Sequence, residues 1–299
     1  MTRATLLLTT LCLSVGCRPD EDGDGVLAGE DCDDQNPKAW NGARDLVRGS
    51  LSENYRAFCG NRCARDLKRD LDLSRANQRD VASLYCLSSV GGSVYINDNP
   101  ALEGLGGLDA LSSVGGDLVL YSNERLRSLA GLEALASVGG DLEILINFRL
   151  VSLTGLDALS SIGGELTILN NDRLTSLAGL DTLSSVSGLE IANNEQLTSL
   201  TGLDALSSVE GDLLIKDNVS LMSLTGLGGL LSVGESLFIR NNDGLTSLSG
   251  LDALSSVEGD LSVNYNEALC ADEADELCAQ LGAGLGGSCA QTGNHGVCP

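Results

Sequence analysis

The stretch GLDALSSVGGDLVLYSNERLRSLAG, Gly107–Gly131, returns almost unchanged down most of a 299-residue chain. Aligned on one Leu, the repeats begin at Leu84, Leu108, Leu132, Leu156, Leu180, Leu203, Leu227 and Leu251. The step is 24 residues, except for 23 between Leu180 and Leu203, where VSGLEI is one residue short. A fixed step of roughly 20–29 residues is the mark of a solenoid, in which each repeat is one coil that buries its apolar side on its neighbours. A single coil has too small a core to stand alone, whereas eight stacked coils do not have that problem.

Periodicity gives the shape of each coil. Leu118-Val119-Leu120-Tyr121 alternates as a half-buried strand, with Leu118 and Leu120 inward and Val119 and Tyr121 outward. An Asn then recurs in every repeat: Asn99, Asn123, Asn147, Asn171, Asn194, Asn218, Asn242 and Asn266. A short amide fixed after a strand can turn inward and satisfy the backbone of its own and the adjacent coil, so these residues form a structural Asn ladder. Leu126, Leu129, Leu132, Leu135 and Val138 follow at intervals of three, which suits short straight sides and frequent turns better than a long helix. Gly115, Gly116 and Gly131 mark bends or close approaches of the chain.

The full pattern, L-x-x-L-x-G-L-x-x-L-x-x-V-x-G-x-L-x-I-x-x-N, resembles the receptor L-domain repeat, a leucine-rich-repeat relative found in growth-factor-receptor ectodomains and bacterial surface lipoproteins. It covers the chain from about Leu84 to the C-terminus. The resemblance implies a mainly β fold, a right-handed β-solenoid of about eight coils over residues 84–269, and a role in binding rather than catalysis.

The two ends carry different signals. Residues 1–16 have a basic start at Arg3, a short apolar run and small residues before Cys17, and read as a signal peptide. LSVGC also resembles a lipobox, which would make Cys17 a lipid attachment site; an ordinary cleavage near Gly16 is the alternative. Arg18 rather than Asp follows Cys17, so the expected destination of a lipid-anchored product is the outer membrane or cell surface. Cysteine usage agrees with export: Cys32, Cys59, Cys63 and Cys86 precede or open the coils, and Cys270, Cys278, Cys289 and Cys298 follow them. These eight are disulfide candidates that would close the two open ends of the stack, with the pairing within each group left open. A zinc site at Cys59-x-x-x-Cys63 is a weaker alternative, because no His lies nearby.

Residues 17–45 form an acidic segment. Asp20, Asp22 and Asp24 followed by Gly25 match the opening of a calcium loop, but Asp31 stands where an EF-hand needs Glu. The stretch, with Asp31, Asp33 and Asp34 around Cys32, is similar to a short bacterial metal-binding motif, which implies Ca²⁺ as ligand; the alternative is a solvated acidic linker. In residues 46–83, Leu67, Leu71 and Val81 have helical spacing, which predicts a small cysteine-tethered helical N-cap, with residues 270–299 as a disulfide-rich C-cap. Ten of the 18 basic residues fall between Lys38 and Arg79, as an exposed helix face or a contact with anionic lipid headgroups.

The net charge is −24, and from Leu87 onward 28 acidic residues face 6 basic ones. Such a surface repels nucleic acid, which is set aside as a partner. Its carboxylates fall in two columns. One holds Asp109, Glu133, Asp157, Asp181, Asp204 and Asp252, and the other Asp117, Asp141, Glu165, Asp212 and Asp260. Exposed charges stacked ~5 Å apart repel by about 1 kcal/mol, so something must offset them: turn capping by backbone N–H groups, or divalent cations along the column. Catalysis is not expected. The chain has one His, His295, and its carboxylates form a regular ladder with no inserted pocket.

What differs between coils is the outward strand residues. Tyr95, Tyr121, Leu145, Leu169, Leu214 and Phe238, with Lys216 and Arg240, make an outer sheet surface more apolar than water alone requires. They predict a binding face for a protein or glycan partner. The alternatives are a structural envelope protein without a specific ligand and, more remotely, a solenoid polysaccharide hydrolase or lyase.

Overall fold

The computed structural model describes residues 66–298 apart from Ser83. Numbered in chain order, two kinds of strand alternate. The short ones are β1 (Asp66–Leu67), β3 (Ser89–Val90), β5 (Ser113–Val114), β7 (Ser137–Val138), β9 (Ser161–Ile162), β11 (Ser185–Val186), β13 (Ser208–Val209), β15 (Ser232–Val233) and β17 (Ser256–Val257). The others are β2 (Leu71–Asp72), β4 (Val94–Asn97), β6 (Leu118–Tyr121), β8 (Leu142–Leu145), β10 (Glu165–Leu169), β12 (Gly188–Ala192), β14 (Leu213–Lys216), β16 (Leu237–Arg240), β18 (Leu261–Asn264) and β19 (Cys289–Thr292). Helix is confined to α1 (Gln78–Ala82) and α2 (Ala271–Leu281), with a 3-10 turn at Gly282–Gly284.

Each strand pairs in parallel with the same strand of the next coil. Leu118 lies opposite Leu142, and Leu142 opposite Leu166. The result is one ten-stranded sheet running from β2 to β19 and, on another side, two smaller sheets, β1-β3-β5-β7-β9 and β11-β13-β15-β17. The fold is a mainly β solenoid of about nine turns of ~24 residues. Its interior is a set of residue columns. Leu118, Leu120, Leu126, Leu129, Leu132, Leu135 and Val138 of one coil are all fully buried, and each stacks on its counterpart in the next coil. Every such Leu contributes about 2 kcal/mol, which only stacking realises.

Two backbone devices turn the chain. Gly131, at φ 110°, passes so close to the preceding coil that a Cβ there would stand 2.3 Å from Leu105 O. The second is a left-handed residue just before each ladder Asn: Asp98, Ser122, Ile146, Asn170, Asn193, Asp217, Asn241 and Tyr265, with φ between 55° and 59°. It swings the following Asn into the core.

Both ends extend the stack further than the helical-cap reading predicts. Leu67 and Leu71 lie in β1 and β2, not on a helix, and only the five residues of α1 are helical in the described part of 46–83. Asp70-Leu71-Asp72-Leu73 repeats the strand pattern of Asp117-Leu118-Val119-Leu120, so this segment builds a coil beneath the eight, with Leu71, Leu73 and Val81 fully buried. At the other end β19 adds a tenth strand to the long sheet, with Cys289 opposite Leu261. Helix α2 closes that end by burying Ala274, Leu277 and Leu281, and Gln280 Nε2 donates to Leu251 O at 3.1 Å and Leu254 O at 2.8 Å. Disulfides Cys270–Cys298 and Cys278–Cys289 tie it down, as the even cysteine count leads one to expect.

The 23-residue step has a visible effect. In a regular coil two backbone bonds link the turn to its neighbour, as in Gly139 N–H to Val114 O at 2.8 Å and Gly140 N–H to Gly116 O at 2.9 Å. In the short coil only Ser187 N–H to Gly164 O, 3.0 Å, remains in that turn. The short-strand sheet breaks there, between β9 and β11, while the ten-stranded sheet runs through.

Ile146 is the one β-branched residue among the left-handed positions before the ladder Asn. Ile146→Asn, the residue found at 170, 193 and 241, is expected to stabilise the protein by about 1 kcal/mol, a rise in Tm of ~2–4 °C by thermal unfolding. An unchanged or lowered Tm would show that the position carries no strain.

Candidate functional site

The outward face of the ten-stranded sheet follows from the two-residue period of its strands. Leu118 and Leu120 are buried while Val119 and Tyr121 point out, and parallel register carries that choice across the sheet. One outward column reads Tyr95, Val119, Glu143, Thr167, Glu190, Leu214, Phe238, Ser262. The neighbouring column reads Asn97, Tyr121, Leu145, Leu169, Ala192, Lys216, Arg240, Asn264, also in register. The eight residues expected to make a binding face therefore share one face, though not one patch. Tyr121, Leu145 and Leu169 are contiguous across β6, β8 and β10, with Tyr121 39 % exposed. Leu214 and Phe238 form a second strip, in the other column, on β14 and β16.

Between the strips the face is polar and internally paired. Lys216 Nζ meets Glu190 Oε1 at 2.9 Å, bridging β14 and β12, and Ala192 beside them is fully buried. The Arg240 guanidinium lies 4.5 Å from the Phe238 ring centre and donates to Ser262 Oγ at 3.0 Å. Both cations of the face are thus engaged within the protein. Sequence reading missed Lys216–Glu190 and Arg240–Ser262 because they join residues that are diagonal neighbours only once the coils stack, whereas Phe238 and Arg240 sit two apart on β16.

The Asn ladder is structural and longer than eight rungs. The eight expected rungs, Asn99 to Asn266, are fully buried. Asn123 Nδ2 donates to Ile96 O of the preceding coil at 2.7 Å, and Oδ1 of Asn147 accepts both Asn123 N–H and Asn123 Nδ2–H at 3.1 Å. The pattern repeats to Asn266 and ends on Asn294, whose Oδ1 accepts Asn266 N–H at 3.0 Å and whose Nδ2 donates to Val263 O at 2.8 Å. The signal for this ninth rung was present: GGSCAQTGN, Gly286–Asn294, aligns with GGDLVLYSN, Gly115–Asn123. At the opposite end Ala76 takes the equivalent place, and Asn99 Oδ1 has no hydrogen-bond partner.

Both acid columns cap backbone. In the first, each carboxylate accepts the N–H of the Gly two residues earlier, as in Gly107 to Asp109 at 2.7 Å and Gly155 to Asp157 at 2.9 Å. In the second, the acceptor serves the same position one coil on: Asp117 Oδ1 takes Asp141 N–H at 3.0 Å, and Asp141 Oδ1 takes Glu165 N–H at 2.8 Å. Ser93 Oγ and Ser236 Oγ do the same for Asp117 and Asp260 at 2.9 and 3.1 Å. Asp260 accepts the Ser288 N–H and hydroxyl, which hold its pKa below the usual carboxylate value. Glu143 is the opposite case: partial burial, then the charges of Asp141, Asp117 and Glu165, push its pKa up.

The expected lipid site Cys17, the acidic residues Asp20, Asp22, Asp24, Asp31, Asp33 and Asp34, and Cys32, Cys59 and Cys63 lie outside the described residues; Cys86 is disulfide-bonded. Cys270, Asp272 and Cys298 converge within 4.8 Å, but the two sulfurs are bonded to each other and are not free to ligate a cation. His295 is exposed in the C-terminal segment. Among the described residues no helix is long and apolar enough to cross a membrane. No family model, curated protein or solved structure matches the chain.

Two outcomes follow from this geometry. Asn171→Ala strands the buried Asn147 N–H and Ile144 O, which Asn171 meets at 3.1 and 2.8 Å, and is expected to cost about 2–4 kcal/mol in denaturant unfolding; a neutral result would remove the ladder from the account of stability. Glu143 has a raised folded-state pKa, so its cost to stability is absent below its ordinary value of 4.5 and complete above the raised value. Glu143→Gln is therefore expected to raise Tm at neutral pH and to leave it unchanged in acid, and an equal shift at both would refute the assignment.

Proposed function

We propose that this protein is an exported, lipid-anchored surface protein whose solenoid presents a binding face to a protein or glycan partner, without catalysis. The observation that carries the reading is the Tyr121–Leu145–Leu169 strip, an apolar run across three neighbouring strands on a face that no other described element covers. The buried columns are almost uniform from coil to coil, whereas the outward columns vary in size and charge, so packing does not dictate them. Export and the anchor rest on the signal sequence and Cys17, and Ca²⁺ on the acidic motif at Asp20–Asp34. The non-catalytic reading is supported by the carboxylate columns, whose members other than Glu165 are occupied in capping the backbone.

A second reading, a structural envelope protein without a specific ligand, is favoured by one observation: Lys216 and Arg240 already have partners within the chain. The two separate in an affinity capture from the producing cell's envelope and secreted fractions, using the full chain beside Tyr121→Ala/Phe238→Ala/Arg240→Ala. A partner held by the parent and lost by the variant, with Tm nearly unchanged, is the expected result. Equal retention by both, or no specific partner, supports the structural reading instead.

A further inference from the structure

Six basic residues serve the solenoid from Leu87 onward, and four of them, Arg125, Arg127, Arg149 and Arg173, fall on three consecutive coils. All four are exposed. Arg125 approaches Glu103 only to 3.9 Å, with more than half of each side chain open to water, a pair of little strength. Among the described residues Arg127, Arg149 and Arg173 have neither an ion pair nor a side-chain hydrogen bond, in contrast to Lys216 and Arg240.

Stacking draws three of them into a line. Arg125, Arg149 and Arg173 each stand two residues beyond a ladder Asn, and inter-coil bonds bracket that position. On one side Asn123 and Asn147 donate their N–H to Asn147 and Asn171 Oδ1 at 3.1 Å. On the other Val151 N–H reaches Arg127 O at 3.0 Å and Thr175 N–H reaches Val151 O at 3.3 Å. The three backbones therefore repeat at the coil interval of ~4.8 Å. Apolar groups flank the line: Tyr121 at the end of β6, and Phe148 and Val151 at the corner, 44 % and 46 % exposed.

We infer that this corner is a docking line for a linear anionic polysaccharide with one carboxylate per sugar ring. Each pyranose ring advances such a chain by a distance comparable to the coil interval, so one carboxylate falls beside each coil, within reach of a long exposed Arg side chain whichever way the ring is turned, and the C–H faces of the rings rest on Tyr121 and Phe148. An extended acidic peptide fits less well, because its ~3.3 Å advance per residue and ~6.6 Å same-side repeat are both out of step with the coil interval. A membrane surface needs a broad basic face, whereas this line is narrow and Glu103, Glu124 and Asp172 stand beside it. The inference rests on the surface-binding reading, but it assigns the ligand class to the Arg line, which shares only Tyr121 with the strip named there.

The test is calorimetric titration of the full chain at low salt with a short oligogalacturonate, a maltooligosaccharide of equal length and an oligoglutamate of equal charge. Oligogalacturonate is expected to bind, more weakly as salt rises, and the other two are not. Arg149→Gln should weaken binding about threefold and Arg125→Gln/Arg149→Gln/Arg173→Gln about tenfold or more. The Tm of both variants should stay unchanged, since these side chains are exposed. Phe238→Ala/Arg240→Ala should bind as the parent does. The inference is overturned if oligogalacturonate does not bind, if the triple variant binds it equally well, or if either control ligand matches it. Uronate binding that persists when envelope capture finds no partner would sink only the earlier reading; capture through Phe238 and Arg240 without uronate binding would sink only this one.

Discussion

Everything in this molecule depends on consecutive coils sitting in one register, and the buried amide column is what enforces it. A ladder Asn joins three coils, donating to the carbonyl of the coil before and accepting from the backbone of that coil while its own N–H turns to the coil after. At these fully buried sites, out of reach of bulk solvent, each bond left unmade costs about 1–3 kcal/mol. Because side chains alternate along a strand, a slip of one residue would put Val119 and Tyr121 inside and Leu118 and Leu120 outside. The amides exclude that slip, and so fix both the Leu columns within and the outward columns without.

Regularity made the middle of the chain legible. Period two gave the strands, the 24-residue step gave the stacking, and together they placed Tyr121 beside Leu145 and Phe238 beside Leu214 without coordinates. The ends were obscured by substitution. Ala76 replaces the ladder Asn, and basic residues around Leu67 and Leu71 imitate a helix face; at the other end Cys289 stands in a Leu column and α2 replaces the loops that carry the Leu triplets. The pairings on the face were not legible, because Lys216–Glu190 and Arg240–Ser262 are set by diagonal distances between coils rather than by spacing in the chain.

The acidity of the solenoid is less a signal of partner than a consequence of how its turns are made. In six coils an acid accepts the N–H of the Gly two residues before it, and a second acceptor serves the turn of the next coil. Short carboxylates fill both. Ser93 and Ser236 serve equally in the second column, so the position demands a lone pair rather than a charge. Glu143 shows the cost of a carboxylate without such a role: on the outer face, partial burial first and then three neighbouring acids disfavour its charged form and raise its pKa.

The short coil at Ser185–Gly188 has a mechanical meaning. In a stack whose stability is a sum of nearest-neighbour couplings, partial unfolding stops at the weakest coupling. At this junction the amide bond from Asn171 to Asn194 survives at 3.0 Å, but a turn bond and the pairing of β9 with β11 are gone. The long sheet compensates: β10 and β12 pair over five residues, where β8 and β10 pair over four, and the Ser187 hydroxyl donates to Gly163 O at 3.1 Å. Coupling between the coils is thus moved to one side of the stack near Val186 and is not lost.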